Sequence, residues 1–171
     1  TNAPESDMVA VTAKLREMGC RIAEAPGRIA LSAPQRLTAF GQLQTQPHPG
    51  FPTDMQVQML ALLAVSEGTG VITENVFENR FTHAGDLNRM GAHILCTGRT
   101  AVVRGVRELY GARVTARDLR GGAALVLAGL KAHGETHVEH AELIDRGYDH
   151  LERQLRELGA NIRRVSGEAT E

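Results

Sequence analysis

The sequence is poor in aromatic residues, with four Phe, two Tyr and no Trp among its 171 residues. The core must therefore be built mainly from Leu, Val, Ile, Ala and Met. Lysine is also scarce, because Lys14 and Lys131 are the two lysines and the other 17 basic residues are arginines. Arginine makes planar, bidentate contacts with carboxylates and phosphates. A high arginine content also follows from genome base composition, which is the default explanation for most of these positions.

No apolar run is long enough to cross a membrane, and no signal peptide is recognisable. The net charge of −1 gives no reason to expect a nucleic-acid partner or an anionic membrane surface. With 42% hydrophobic and 23% charged residues, the composition is that of a globular domain of ordinary size. We expect a cytoplasmic protein that binds neither nucleic acid nor membrane.

Cysteine is rare, and neither Cys20 nor Cys96 lies in a CxxC pattern. Two cysteines are too few for a disulfide scaffold, so we expect both to be buried thiols in a reducing compartment. His137 and His140 are three residues apart but lack a third ligand, which argues against a metal site. We therefore expect neither a metal nor a cofactor.

What the sequence does contain is a repeat. The pattern of residues 15–22 recurs at 87–94, after 72 residues, and again at 155–162, after a further 68. Each copy is typical of the last turn of an amphipathic helix, a glycine after its end, and then a strand. Glycine suits that position because the chain has to leave the helix through a left-handed residue.

Two of the three copies extend upstream. Residues 53–66 and 117–133 are both predicted to be helices, and strands are predicted at 69–73 and 135–139. Thr53 with Gln56 forms a capping-box pattern at the first helix. The resulting unit is helix, strand, helix, strand. Further strands are predicted at 29–32, 43–46, 100–104 and 113–116.

One helical segment has no polar face. Residues 123–130 read Ala-Ala-Leu-Val-Leu-Ala-Gly-Leu. A helix that is apolar all round is predicted to be buried on every side rather than laid on a surface. The repeat therefore indicates an α/β fold in which some helices are central.

Several blocks of this chain resemble signatures of the UDP-N-acetylglucosamine enolpyruvyl transferases. They occur in the order and spacing of that family and cover nearly the whole chain. The most specific is His-Pro-Gly-Phe-Pro-Thr-Asp-Met-Gln at residues 48–56, and the others lie at 72–81, 89–92, 118–120, 125–129 and 144–148.

The resemblance implies an inside-out α/β barrel lobe, built from βαβαββ repeats with sheets outward and helices inward. It matches residues 1–171 to part of the C-terminal lobe. Residues 1–46 would form the end of one repeat, 47–106 a second and 107–171 a third, giving two full units and part of another. The family's N-terminal lobe, with its Lys-Asn pair and its loop bearing a Cys or Asp proton donor, has no counterpart here.

The family transfers the enolpyruvyl group of phosphoenolpyruvate to the 3-hydroxyl of UDP-N-acetylglucosamine, the first committed step of peptidoglycan synthesis. A hydroxyl has to lose a proton, a doubly anionic substrate has to be held, and charge has to be stabilised as phosphate leaves. The resemblance therefore implies two substrates, a role in cell wall biogenesis, cell shape and cell division, and a need for the N-terminal lobe.

The resemblance assigns roles to five residues. Asp54 would contact the sugar hydroxyl and act as general base, although an Asp at a helix start is commonly a cap. Arg120 and Arg146 would face phosphoenolpyruvate as catalytic residues, with Arg80 nearby. Val76 would touch the sugar nucleotide through its main chain. Ion pairs of Arg80 with Glu78 and of Arg146 with Asp145 are the ordinary alternatives, and ordinary strand packing is the alternative for Val76.

Three functional hypotheses remain open at this point. The chain is part of an active enolpyruvyl transferase, or it is a non-catalytic lobe, either truncated or half of a split enzyme. The third is the sister enzyme that makes enolpyruvyl-shikimate phosphate, against which the block at residues 48–56 argues.

Overall fold

The computed structural model describes residues 5–165. Within this range the chain forms eight strands, five α-helices and one 3-10 turn. The strands are β1 (Arg21–Ala25), β2 (Arg28–Ser32), β3 (Gln42–Gln44), β4 (Thr69–Thr73), β5 (His93–Thr97), β6 (Thr100–Arg104), β7 (Arg113–Thr115) and β8 (His137–Glu139). The helices are α1 (Glu5–Glu17), α2 (Thr53–Ala64), α3 (Ala84–Arg89), α4 (Leu119–Lys131) and α5 (Leu151–Glu157), with the 3-10 turn at Ala141–Leu143.

The strands form three small sheets. The largest has the order β3-β4-β6-β5, with β3 and β4 parallel and the other pairs antiparallel. β1 and β2 form a hairpin, and β7 pairs with β8 in parallel. Alternate residues of the large sheet point inward: Ala101 and Val103 of β6 are fully buried, whereas Val102 between them is 40% exposed. One face of this sheet therefore covers the core and the other faces outward.

The inner faces of the sheets enclose helices. α2 packs against β4, β6 and α4, and α4 also contacts α3 and β8. Small residues line the contact between α2 and α4, where Val57, Ala61 and Ala124 form a buried cluster. The predicted α/β fold, with sheets outside and helices inside, is confirmed. Between residues 5 and 165 the strands do not close into a barrel.

Left-handed glycines end the repeated helices as predicted. Gly19, Gly91 and Gly159 have φ of 95°, 98° and 94°. In each copy the residue after the glycine donates its amide hydrogen to the carbonyl four residues before the glycine, as in Ala92 to Leu87 at 3.0 Å. This closes the helix end and turns the chain toward its strand. The division of the chain at residues 46/47 and 106/107 stays a prediction.

The expectation that 123–130 is buried all round is wrong for its second half. Ala123, Ala124 and Leu125 are buried, but Leu127 and Leu130 are 37% and 42% exposed. A groove of about 610 Å³ runs along this side, between α2, α4 and residues 33–37.

Two further expectations are corrected. Thr53 and Gln56 do not form a capping box, because α2 is preceded by Pro52 and has no side-chain cap. The Thr53 hydroxyl instead donates to the Glu74 carboxylate at 2.8 Å, a stronger acceptor than a backbone group. Cys20 is buried as expected, but Cys96, near the end of edge strand β5, is exposed.

Close packing at the start of α4 gives a stability test. A Cβ added at Gly122 would lie 2.7 Å from Ile144 Cγ1 and 2.9 Å from Ala116 Cβ. We expect Gly122→Ala to lower the free energy of unfolding by about 1–3 kcal/mol, because the overlap outweighs the gain in helix propensity. Urea unfolding measures this change.

Gly85→Ala is the matched control, because nothing lies within 4 Å of a Cβ at this helical position. It should raise the free energy of unfolding by about 0.4–1 kcal/mol through its effect on the unfolded chain. A Gly122→Ala variant as stable as Gly85→Ala would contradict the packing described here.

Candidate active site

Asp54 and two of the predicted arginines form one cluster. Asp54 is the second residue of α2, and its Oδ1 accepts a hydrogen bond from Arg80 Nη2 at 2.8 Å. Its Oδ2 accepts one from Arg120 Nη2 at 2.9 Å. The Asp54 side chain is 53% exposed, whereas those of Arg80 and Arg120 are 17% and 25% exposed. The carboxylate is therefore held between two guanidinium groups at the surface.

Each of these arginines lies over an aromatic ring. The Arg80 guanidinium carbon is 5.1 Å from the centroid of Phe77, and that of Arg120 is 5.5 Å from the centroid of Tyr148. The Tyr148 hydroxyl accepts a hydrogen bond from Gln58 of α2 at 2.9 Å. Stacking on an aromatic face fixes the plane of a guanidinium and adds cation–π attraction.

The two aromatic residues and Gln58 were missed as site residues. The signal that could have found Phe77 and Tyr148 is the scarcity of aromatics, because three of the chain's six, Phe77, Phe81 and Tyr148, occur within three residues of a predicted arginine. Gln58 carries no such signal, since an amide on a mostly apolar helix has many structural roles.

Electrostatics keep this cluster fully charged. The hydrogen bond from Arg120 holds the pKa of Asp54 below its ordinary value, against a smaller opposing effect of burial, and Arg80 acts in the same direction. In return, the Asp54 carboxylate raises the pKa of Arg120. Asp54 also stands in the first turn of α2, where the helix dipole favours an anion. As arranged, Asp54 is a weak base.

Arg146 lies beside this cluster but does not join it. The ion pair with Asp145 is not formed, because Asp145 makes a bidentate pair with Arg164 at 2.6 and 2.7 Å. Arg146 itself is exposed and has no ion pair within residues 5–165. The next residue, Gly147, lies against Arg120, since a Cβ there would be 3.2 Å from Arg120 Nη1. Arg146 is therefore an exposed residue without an ion pair in the described range, and its neighbour Gly147 adjoins the Asp54 cluster.

The turn that carries Val76 follows β4 directly. Val76 is 40% exposed. Its amide donates to Glu74 Oε1 at 2.8 Å, and the Phe77 amide donates to the same oxygen at 3.0 Å. The alternative pair of Arg80 with Glu78 is absent, because Glu78 pairs with Arg99 at 3.2 Å. Four predicted site residues, Asp54, Arg80, Arg120 and Val76, thus lie on the segments around the start of α2.

Comparison with known proteins decides the family. A family model described as EPSP synthase (3-phosphoshikimate 1-carboxyvinyltransferase) matches residues 1–155. The chain belongs to this family.

Relatives with curated names place the chain within the family. It is 55% identical over 157 residues to the UDP-N-acetylglucosamine 1-carboxyvinyltransferase of Myxococcus xanthus, covering 92% of this chain and 37% of that protein. It is 55% identical to the protein of the same name from Desulfofundulus thermocisternus, covering 90% of this chain and 63% of that protein. The chain therefore spans between about a third and two thirds of the length of such relatives.

Solved structures agree on the fold. The enolpyruvyl transferase NikO from Streptomyces tendae superposes with a TM-score of 0.82 at 28% identity, over 91% of this chain and 36% of that one. The EPSP synthase of Acinetobacter baumannii gives a TM-score of 0.69 at 25% identity, over 95% of this chain and 38% of that one.

The repeat counterpart of Asp54 has a different task in this family member. Asp118 is the N-cap of α4, and its Oδ1 accepts from the amides of Arg120 and Gly121 at 3.0 and 2.8 Å. Its other oxygen accepts from the Thr82 hydroxyl at 3.1 Å. The neighbouring His83 is buried, which lowers its pKa to about 4 against the opposing charge of Asp118. His83 is therefore neutral near pH 7.

The part of the chain that the structure describes holds no group of three or more His, Cys, Asp or Glu residues placed to bind a metal ion. It also contains no helix with the length and apolar character needed to cross a membrane.

The two arginines predict a measurable titration. We expect Arg120→Gln to raise the pKa of Asp54 more than Arg80→Gln does, because the Arg120 hydrogen bond is the larger cause of its lowering. Since the folded-state pKa is lowered, the stabilisation from this cluster is present at neutral pH and is lost as the pH falls through that pKa.

The carboxyl carbon of Asp54, followed by NMR as a function of pH, reports this pKa. Arg113→Gln is the control, because Arg113 pairs with Glu139 and not with Asp54. If neither Arg120→Gln nor Arg80→Gln moved the Asp54 titration, the bridged arrangement would be wrong.

Proposed function

We propose that this chain forms part of the active site of a UDP-N-acetylglucosamine 1-carboxyvinyltransferase. In this proposal the enolpyruvyl group of phosphoenolpyruvate is transferred to the 3-hydroxyl of UDP-N-acetylglucosamine, and phosphate is released. The name shared by relatives at 55% identity supports the choice of substrates. The observation that carries the proposal is the Asp54 carboxylate held between Arg80 and Arg120 at an exposed face.

The charges of the cluster suit an anionic substrate. Two guanidinium groups face one carboxylate, so Arg80, Arg120 and Asp54 together carry a charge of +1, and exposed Arg146 adds another. Phosphoenolpyruvate carries a carboxylate and a phosphate, and each can accept two hydrogen bonds from one arginine. In the structure, Arg120 instead has a single oxygen of Asp54 as its acceptor. We assign Arg120 and Arg146 to phosphoenolpyruvate, with Arg80 remaining on Asp54.

Substrate binding then changes the basicity of Asp54. In the structure, Arg120 is the main cause of the low pKa of Asp54. When the anionic groups of phosphoenolpyruvate take Arg120, Oδ2 of Asp54 becomes free and its pKa rises. The free carboxylate oxygen accepts the proton of the sugar 3-hydroxyl as the hydroxyl oxygen adds to C2 of phosphoenolpyruvate, while C3 takes a proton from the donor of the second lobe. C3 then loses a proton as the bond between C2 and the phosphate oxygen breaks, which re-forms the double bond. Arg120 stabilises the negative charge as phosphate leaves. Asp54 therefore becomes a stronger base only when phosphoenolpyruvate is bound.

Other parts of the proposal lie outside the described cluster. Val76 would contact the sugar nucleotide through its main chain. A second lobe would complete the site and supply the proton donor, because the chain spans 37% of the Myxococcus xanthus relative. We further propose a cytoplasmic location and a role in peptidoglycan synthesis, and hence in cell wall biogenesis, cell shape and cell division.

A chimera tests the proposal. This chain replaces the matching 157-residue region of the Myxococcus xanthus relative. We expect the chimera to release phosphate from phosphoenolpyruvate when UDP-N-acetylglucosamine is present, and the isolated chain to release none. Asp54→Asn should lower kcat by about 10²–10⁴-fold, because it removes the proton acceptor. Phosphate release is measured for both substrates together and for each alone.

Glu108→Gln is the control, because Glu108 is exposed and faces His133 on another side of the molecule. It should leave kcat unchanged. Turnover with shikimate 3-phosphate but not with the sugar nucleotide would favour the sister enzyme and contradict the proposal. Turnover by the isolated chain would contradict the need for a second lobe.

A further inference from the structure

Glu74 is a buried carboxylate at the start of the turn segment that follows β4. Its residue is 1% exposed, and it makes no ion pair within residues 5–165. Its hydrogen-bond partners are all neutral donors. Oε1 accepts from the Thr45 hydroxyl at 2.7 Å and from the amides of Val76 and Phe77 at 2.8 and 3.0 Å, and Oε2 accepts from the Thr53 hydroxyl at 2.8 Å.

An uncompensated buried charge is costly unless its oxygens are fully satisfied by hydrogen bonds. Burial by itself raises the pKa of Glu74, but the hydrogen bonds from Phe77, Thr45, Val76 and Thr53 outweigh it and hold the pKa below its ordinary value. Glu74 is therefore ionised at neutral pH and attracts all four donors. A neutral amide at this position could not accept from all of them.

The four donors belong to three separate segments. Thr45 directly follows β3, Thr53 begins α2, and Val76 and Phe77 form the turn after β4. Thr53 is the residue before Asp54, whose carboxylate bridges Arg80 and Arg120. One buried carboxylate thus joins the start of α2 to the turn of Val76.

The turn is supported from its other side as well. Arg99, at the hairpin between β5 and β6, donates from Nη1 to the Asn75 carbonyl at 3.1 Å. Its own carbonyl accepts from the Glu74 amide at 2.8 Å. The Asn75 amide donates to Thr45 Oγ1 at 2.8 Å. These contacts hold the backbone at Glu74 and at the residue after it.

We propose that Glu74 is the positioning residue that holds Asp54 and the Val76 turn at a fixed separation. Its importance for turnover rests on the proposed function, whereas its effect on Asp54 is a property of this chain alone. Through Thr53, Glu74 sets where the first turn of α2 stands, and so where the Asp54 carboxylate meets its two arginines.

The same contacts restrict what the Val76 turn can bind. The amides of Val76 and Phe77 already donate to Glu74, so they are not available to a ligand. A main-chain contact from Val76 has to come from its carbonyl oxygen, which is an acceptor. The matching group on the ligand is therefore a hydroxyl or an N–H, and an anionic group is disfavoured at this point.

The pKa of Asp54 in this chain is the test, and its direction of change separates two explanations. If Glu74 acts on Asp54 only as a nearby negative charge, Glu74→Gln lowers the Asp54 pKa. If Glu74 positions α2, Glu74→Gln loosens the contacts of Asp54 with Arg80 and Arg120, and the pKa rises toward its ordinary value. Thr53→Val removes one hydrogen bond to Glu74 and no charge, so it should raise the Asp54 pKa as well.

Asp86→Asn is the matched control. Asp86 is also a buried carboxylate, 2% exposed, but it contacts Arg89 and Arg117 rather than the Glu74 segments. Replacing the Asp86 carboxylate with an amide should leave the Asp54 titration unchanged. If Glu74→Gln prevents folding, the Asp54 pKa of the Thr53→Val variant still tests the proposal. An Asp54 pKa that falls or stays constant in both Glu74→Gln and Thr53→Val overturns the proposal.

The chimera adds a kinetic measurement. Glu74→Gln and Thr53→Val should lower kcat by about tenfold or more through misplacement of Asp54, and Asp86→Asn should not. An inactive wild-type chimera would count against the proposed function alone, because the Asp54 titration is measured without it. An active chimera with unchanged kcat in both variants would show that the position of Asp54 does not depend on Glu74.

Discussion

The close contact between helices α2 and α4 governs the geometry of the candidate site. Ala61 and Ala124 lie in the buried cluster between them, and such small side chains allow two helices to approach closely. Because the helices pack together, their first turns stand side by side at one end of the molecule. Asp54 on α2 meets Arg120 on α4 across 66 residues of sequence. The ion pair at the surface is therefore a consequence of apolar packing inside.

The internal repeat places equivalent residues at the starts of both helices, and the chain uses them differently. Asp118 is the N-cap of α4. The N-cap of α2 is Pro52, so Asp54 lies within the helix and its carboxylate binds two arginines instead. The counterpart of Arg120 in the earlier unit is Gln56, which is fully buried. One unit thus supplies the acid and the other supplies a cation. The cluster exists because the two units carry different residues at equivalent positions. Two identical units would not form it.

Periodicity and glycine positions were sufficient to predict most of the fold. Strands β4 and β6 have the predicted bounds, and the left-handed glycines end the helices as expected. The site was only partly predictable. Asp54, Arg80 and Arg120 come together, but their mutual ion pairs depend on which helix ends are adjacent, and local sequence does not show this. The Thr53–Gln56 pattern misled because a buried carboxylate, distant in sequence, competes for the threonine hydroxyl.

The scarcity of aromatic residues has a spectroscopic consequence. With no Trp, the near-ultraviolet absorption and the fluorescence of this chain come mainly from two tyrosines. Tyr110 is 57% exposed on the surface, and Tyr148 lies beneath the Arg120 guanidinium with its hydroxyl bonded to Gln58. A chain in which Phe replaces Tyr110 would carry a single tyrosine chromophore, in contact with the arginine that contacts Asp54. The site thus contains its own optical reporter without any added label.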